Sequence, residues 1–116
     1  MWQNNKLNKR INEELPHDFS LCDLDGVVHC FYEGGIRLII YESKNKGERI
    51  SETQLRLLNI MNNAVDWSVF DYHSGIFFIR ALDDNFNKME ILDLELNVLC
   101  EYDINDLHSW FSCKDK

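Results

Sequence analysis

Residues 19–42 read FSLCDLDGVVHCFYEGGIRLIIYE, a series of short apolar runs punctuated by Asp25-Gly26 and Gly34-Gly35. Glycine pairs of this kind between β-branched and aromatic runs are hairpin signals, because tight turns need left-handed backbone that glycine adopts without a Cβ clash. The spacing predicts three antiparallel strands, at about residues 19–24, 27–32 and 36–42. A parallel α/β sheet would instead need a crossover of about a dozen residues between consecutive strands. The few residues between these runs leave no room for it. This stretch sets the class as α+β.

Outward from there, Ser43 to Arg49 is a polar loop, and Ser51-Glu52-Thr53-Gln54 has the form of a capping box with Ser51 as N-cap. Leu55, Leu57, Leu58, Ile60, Met61, Ala64 and Val65 then cover a wide arc, with Arg56, Asn59, Asn62 and Asn63 opposite. That pattern predicts a central helix over Glu52 to Val65, packed on the sheet. Strands are expected over Trp67 to His73 and Ile76 to Leu82, with a turn at Ser74-Gly75. Lys88 to Glu101 reads as one long strand or as a hairpin broken near Glu95 to Asn97. Ile104, Leu107, His108 and Phe111 repeat at helical spacing behind Asp103, a candidate N-cap. Trp2, Leu7, Ile11 and Leu15, stopped by Pro16, predict another short helix. The expected whole is a single domain over residues 1–116: a mainly antiparallel sheet of five to seven strands, one central amphipathic helix and short terminal helices.

The chain has 116 residues, 45% of them hydrophobic, and carries a formal charge of −8 from 20 Asp+Glu against 12 Lys+Arg. That length suits one domain with a core of its own. An acidic surface repels a phosphate backbone, so no direct contact with nucleic acid is expected. No apolar run has the length of a signal or a membrane span, which points to a cytoplasmic protein with no membrane contact. In that compartment Cys22, Cys30, Cys100 and Cys113 are expected as reduced thiols packed as small hydrophobes. Oligomeric state is left open.

One motif invites an enzymatic reading. Ser20-Leu21-Cys22-Asp23-Leu24-Asp25-Gly26-Val27-Val28 resembles the first motif of the haloacid dehalogenase phosphatases, in which an apolar strand delivers Asp-x-Asp-Gly. The resemblance implies Mg²⁺-dependent phosphomonoester hydrolysis, with Asp23 as nucleophile and Asp25 as general acid/base. The strand spacing argues against it, and Asp25-Gly26 is read as a turn. Asp83-x-Asn85-x-Asn87 starts like a calcium loop, but Lys88 and Leu94 stand where glycine and glutamate are required. Cys22 and His29 are two ligands where zinc needs more. No catalytic residue, metal or cofactor is expected.

The charge is uneven. Between Asp83 and Asp106 lie Asp83, Asp84, Glu90, Asp93, Glu95, Glu101, Asp103 and Asp106, with Lys88 as the lone base. A charge run of this kind is ordinarily a solvated face. Read more sharply, it would steer a cationic partner. In size and acidity, and in the strand-loop-helix passage Ile36 to Val65 with Ile50-Ser51-Glu52-Thr53-Gln54, the chain resembles bacterial immunity proteins of polymorphic toxin and contact-dependent inhibition systems. The resemblance implies a protein that neutralises a cognate basic toxin, such as a nuclease, by covering its active site. The eight acids would form the rim, and Trp110, beside Phe111, an exposed apolar anchor. A phage or mobile-element inhibitor of another host enzyme would use the same acidic mimicry.

Overall fold

The computed structural model describes residues 24–113. Glu33 and Gly34 form the first turn: Tyr32 pairs with Gly35 across it, and Gly34 takes a φ of 108°. The turn joins β1 (Gly26–Tyr32) to β2 (Gly35–Lys44). Helix α1 (Glu52–Ala64) and a 3-10 turn, Trp67–Val69, lead to β3 (Gly75–Ala81). Strands β4 (Lys88–Leu92) and β5 (Val98–Asp103) follow, and helix α2 (Ile104–Phe111) ends the described chain.

The five strands lie side by side in chain order, in an α+β arrangement. Three of the pairings are antiparallel, as expected, but β2 and β3 run parallel, so the sheet is mixed. The reason lies in α1. It carries the chain back along the sheet, the crossover a parallel neighbour requires. Strand β2 is covered on both faces, which explains its unbroken apolar run Leu38-Ile39-Ile40-Tyr41. Alternation sends Ile40, with Ile76, Phe78 and Leu92, onto Leu58 of α1. It sends Ile39, with Ile79, Met89 and Ile91, onto Trp110 of α2. No described helix is long and apolar enough to cross a membrane.

Both helix starts follow the spacing of their caps. The Ser51 side chain accepts from the Gln54 N–H at 3.1 Å, and Asp103 and Asp106 form a reciprocal capping box. Other expectations fail for local reasons. Asp25-Gly26 is not a hairpin turn: β1 begins at Gly26, where an added Cβ would meet the Tyr41 ring at 2.2 Å. Glycine is needed there for close approach. The strand expected at 19–24 and the first helix, with Cys22 and Asp23, lie outside the described residues. Trp67 to His73 is no strand, because Asp66 and Asp71 turn inward on their own backbone. Asp66 accepts the Ser68 N–H at 3.1 Å and Asp71 the His73 N–H at 3.0 Å. Such bonds compete with a sheet ladder. Asp93 does the same for Glu95 and Asn97, which resolves Lys88 to Glu101 as a hairpin.

The cysteines also differ from expectation. Cys30 and Cys113 are joined in a disulfide, while Cys100 is free. Cys30 lies on the α2 side of β1, opposite Arg37, and Cys113 follows α2 directly, so the docked helix brings together positions 83 residues apart.

Beside that bridge Arg37 is fully buried. Its Nε donates to Asp71 Oδ2 at 2.9 Å and its Nη1 to the Trp110 carbonyl at 2.7 Å. The Tyr32 hydroxyl donates to the same Asp71 oxygen. Breaking a buried ion pair by removing one partner strands the other charge, at about 3–5 kcal/mol. Asp71→Ala should therefore lower stability by about that much in urea unfolding. Arg37→Met with Asp71→Leu should recover most of the loss; a double variant as unstable as the single would show that the pair is more than mutual neutralisation.

Candidate active site

The far end of β2 departs from its apolar run with Glu42-Ser43-Lys44. Alternation puts Glu42 and Lys44 on the α1 face, two residues apart. The register that pairs Gly26 with Tyr41 brings Asp25 beside Glu42. The Asp25 carboxylate is held in place by Ser43, whose N–H donates to Oδ2 at 2.7 Å and whose hydroxyl donates to it at 2.8 Å. Glu42 is 6% exposed, and its Oε2 has no hydrogen-bond partner. Burial pushes its carboxyl up to about 7, assisted by the hydrogen bond and the negative charge of Asp25, while Lys44 and the Asp25 N–H pull the other way.

Lys44 is equally buried. Its Nζ donates to Gln54 Oε1 at 2.6 Å and lies 3.6 Å from Glu48 Oε2. Gln54 stands at the third position of α1, so the cap that starts the helix also aims this side chain at the lysine. Two carboxyls, an ammonium and an amide thus converge from β1, β2 and α1. A cleft of about 760 Å³ lies along the following loop, with Glu48, the ion-pair partner of Lys44, in its lining and none of Asp25, Glu42, Lys44 and Gln54. Lys46, Arg49 and Ile50 of the loop after Lys44 line it, with Arg80, Leu82 and Leu96. Arg80 is the register partner of Lys44 and is ion-paired to Glu90, its Nε donating to Oε1 at 2.7 Å.

No group of three or more His, Cys, Asp or Glu among the described residues is placed to hold a metal ion. Asp25 and Glu42 are two adjacent oxygen donors, the ligand type a hard cation would use. Mg²⁺ is commonly bound through one or two carboxylates plus substrate phosphates.

The acidic segment is divided by the strand order. The β3–β4 loop and the start of α2 lie at one end of the sheet, where the Ile104 N–H donates to the Asn87 carbonyl at 3.2 Å. This end carries Asp83, Asp84, Asp103 and Asp106. Asp83 accepts the Asn85, Asn87 and Lys88 N–H groups, and these bonds, Asn87 first, hold its carboxyl below the usual range. Asp103 and Asp106 are engaged in the α2 capping box, and Asp84 is exposed. Asp93 and Glu95 sit in the β4–β5 loop at the other end, Glu90 is paired with Arg80, and Glu101 lies exposed on edge strand β5. Trp110, expected as an exposed anchor, is 4% exposed. Its indole donates to the His73 carbonyl at 3.2 Å and packs against Phe77 and Tyr102.

Glu42, Lys44 and Gln54 were not among the residues expected to form a site. The signal available was Glu and Lys two apart at the end of an apolar strand, with an Asp leading the strand before it.

Because Glu42 titrates near 7 in the fold and near 4.5 as an ordinary carboxyl, the native state holds a proton that the unfolded chain has lost between those values. Its contribution to stability is complete below about pH 4.5 and is lost as pH rises through 7. Glu42→Gln keeps the shape without the charge. Thermal melts in chelator should show the variant a few degrees above the parent at pH 8 and level with it at pH 5; equal melts at both pH values would mean the carboxyl is not held against its charge.

No known protein-family model, curated protein or solved structure matches this chain.

Proposed function

We propose that the chain hydrolyses phosphodiester bonds in nucleic acid with the help of a divalent cation held by Asp25 and Glu42. The observation that carries this reading is the buried Glu42 carboxyl with its unpartnered Oε2, set against Asp25 and facing Lys44. When bound, such an ion draws charge from a phosphate oxygen and makes a coordinated water more acidic. The chain's own groups account for the rest. Ser43 fixes the Asp25 carboxylate, and Gln54 fixes the Lys44 ammonium. From there Lys44 would stabilise the negative charge that grows on the phosphate as water oxygen bonds to phosphorus and the ester P–O bond breaks. The leaving oxygen takes up a proton, and the products are a phosphate monoester and an alcohol. Lys46 and Arg49, exposed in the loop after Lys44, would supply contacts to a polyanionic substrate, although the protein as a whole is acidic and Glu48 stands between them. This reading gives Asp25 a different part from the acid/base role in the phosphatase alternative, and the antiparallel pairing of β1 with β2 favours it over that alternative.

A fluorescent oligonucleotide incubated with the protein in Mg²⁺ or Mn²⁺ should be cleaved, and chelator should stop the reaction. Glu42→Gln, Asp25→Asn and Lys44→Met should each lower the rate about a hundredfold or more with the fold intact by circular dichroism. Cleavage that survives chelator, or Glu42→Gln at the parental rate, would overturn the assignment.

A second reading, a stoichiometric inhibitor of a basic toxin, draws support from the exposed carboxylates of Asp84 and Glu101, which carry no capping duty. It expects a cationic protein captured from bacterial cytosol to be lost on Asp84→Lys with Glu101→Lys; retention by that double variant would count against it.

A further inference from the structure

We infer that the small cleft on the α2 face of the sheet, walled by Phe77, Tyr102 and Trp110, takes a methylated ammonium head group. Glu42 lies on the opposite face, and the inference stands apart from the phosphodiesterase reading. Strand alternation and helix docking build the site together. Phe77 of β3, Ile91 of β4 and Cys100 of β5 pack on the side of the sheet that α2 covers, and Trp110 of the helix closes on them. These side chains leave a cleft of about 160 Å³, with Tyr72 and Leu99, 89% and 53% exposed, at its rim. Its size limits the guest. It falls below the roughly 300–1,000 Å³ of clefts for drug-sized ligands, and is close to the engineered apolar cavity of about 150 Å³ that holds benzene.

The walls suit a cation that brings no hydrogen-bond donors. Trp110 stands at 73° to Phe77 and at 71° to Tyr102, with ring centroids 5.0 and 5.8 Å apart, so the three rings form a corner and not a stack. Ring faces carry negative potential, and a cation within about 6 Å of a centroid is drawn to them. Among the described residues no Lys or Arg lines the cleft, and the whole chain carries a charge of −8. A carboxylate also acts here: burial, helped by the Asp106 charge, holds the Cys100 thiol above its ordinary range against a hydrogen bond with Tyr102. A primary ammonium would bring three N–H donors. The His73 carbonyl already accepts the Trp110 indole at 3.2 Å, and the lining is otherwise mostly ring, thiol and hydrocarbon, so those donors would go short of acceptors. A quaternary ammonium has no donor to satisfy, and its methyl groups pack on rings.

Titration calorimetry on the full chain, at pH 8 and fixed ionic strength, tests this. Tetramethylammonium and choline should bind saturably, with dissociation constants of about a millimolar or tighter. Ammonium, and 3,3-dimethylbutanol, the uncharged isostere of choline, should each bind at least about tenfold more weakly. Tyr102→Leu should weaken choline binding about tenfold, and Tyr72→Ala, at an exposed position where folding is not at stake, about threefold or more. A peptide carrying one trimethyllysine and bound at least about tenfold tighter than choline would place the head group on a protein partner; affinity no greater than that of choline would place it on a free small molecule. Absence of saturable tetramethylammonium binding, equal affinity for choline and its uncharged isostere, or binding indifferent to the Tyr72 change would overturn the inference.

Discussion

A guanidinium without access to water has to be answered by protein groups, and Arg37 is answered from two other parts of the chain. Asp71 supplies the opposite charge from the crossover that precedes β3, and Trp110 supplies a carbonyl from the last turn of α2. That carbonyl is among those a helix leaves without an internal partner, so the arginine also caps the helix. Burial alone would raise Asp71. Its hydrogen bonds from Tyr32 and Arg37, the Arg37 charge and the Ser74 hydroxyl outweigh that, holding its carboxyl below the usual range. The surrounding backbone is bound to the same point: the Asp71 N–H donates to the Ile36 carbonyl at 2.8 Å, and the Leu38 N–H to the Ser74 hydroxyl at 3.0 Å. One ion pair thus ties the start of β3 to β2 and to the end of α2.

At the other end of β2 the logic is reversed. Arg37 faces α2 and its charge is paired with Asp71. Glu42, on the α1 face of the same strand, is buried against a second carboxyl with one oxygen unanswered. The neighbours of Glu42 are set by local packing. Gly26 lets the Tyr41 ring lie against the β1 backbone, and the α1 cap presents Gln54 to Lys44.

Several elements could be read directly from residue order. The α1 and α2 starts depend on side chains reaching three residues forward, so Ser51 with Gln54 and Asp103 with Asp106 were visible without a fold. The α+β class and the run of β2 followed from local pattern as well. The 3-10 turn at Trp67–Val69 did not, because the aromatic and β-branched residues there have strand propensity. What decided against a strand was Asp66 and Asp71 bonding to backbone, a choice confirmed only by the distant Arg37. The acidic segment shows the same gap: closeness in sequence placed eight carboxylates together, and a meander of strands divided them between the two ends of the sheet and its β4 and β5 strands.

The sequence by itself determined the short-range features: the helix caps, the central amphipathic helix, the hairpin turn at Gly34 and the net charge of −8. These rest on periodicity and on bonds within a few residues. Only the tertiary structure decided that β2 and β3 run parallel, that Cys30 meets Cys113, that Trp110 is buried, that Asp25 lies against Glu42 and that Gln54 meets Lys44. Each of these depends on strand register and helix docking. A slip of one residue in register would turn Glu42 and Lys44 to the opposite face, and nothing local to those residues specifies it.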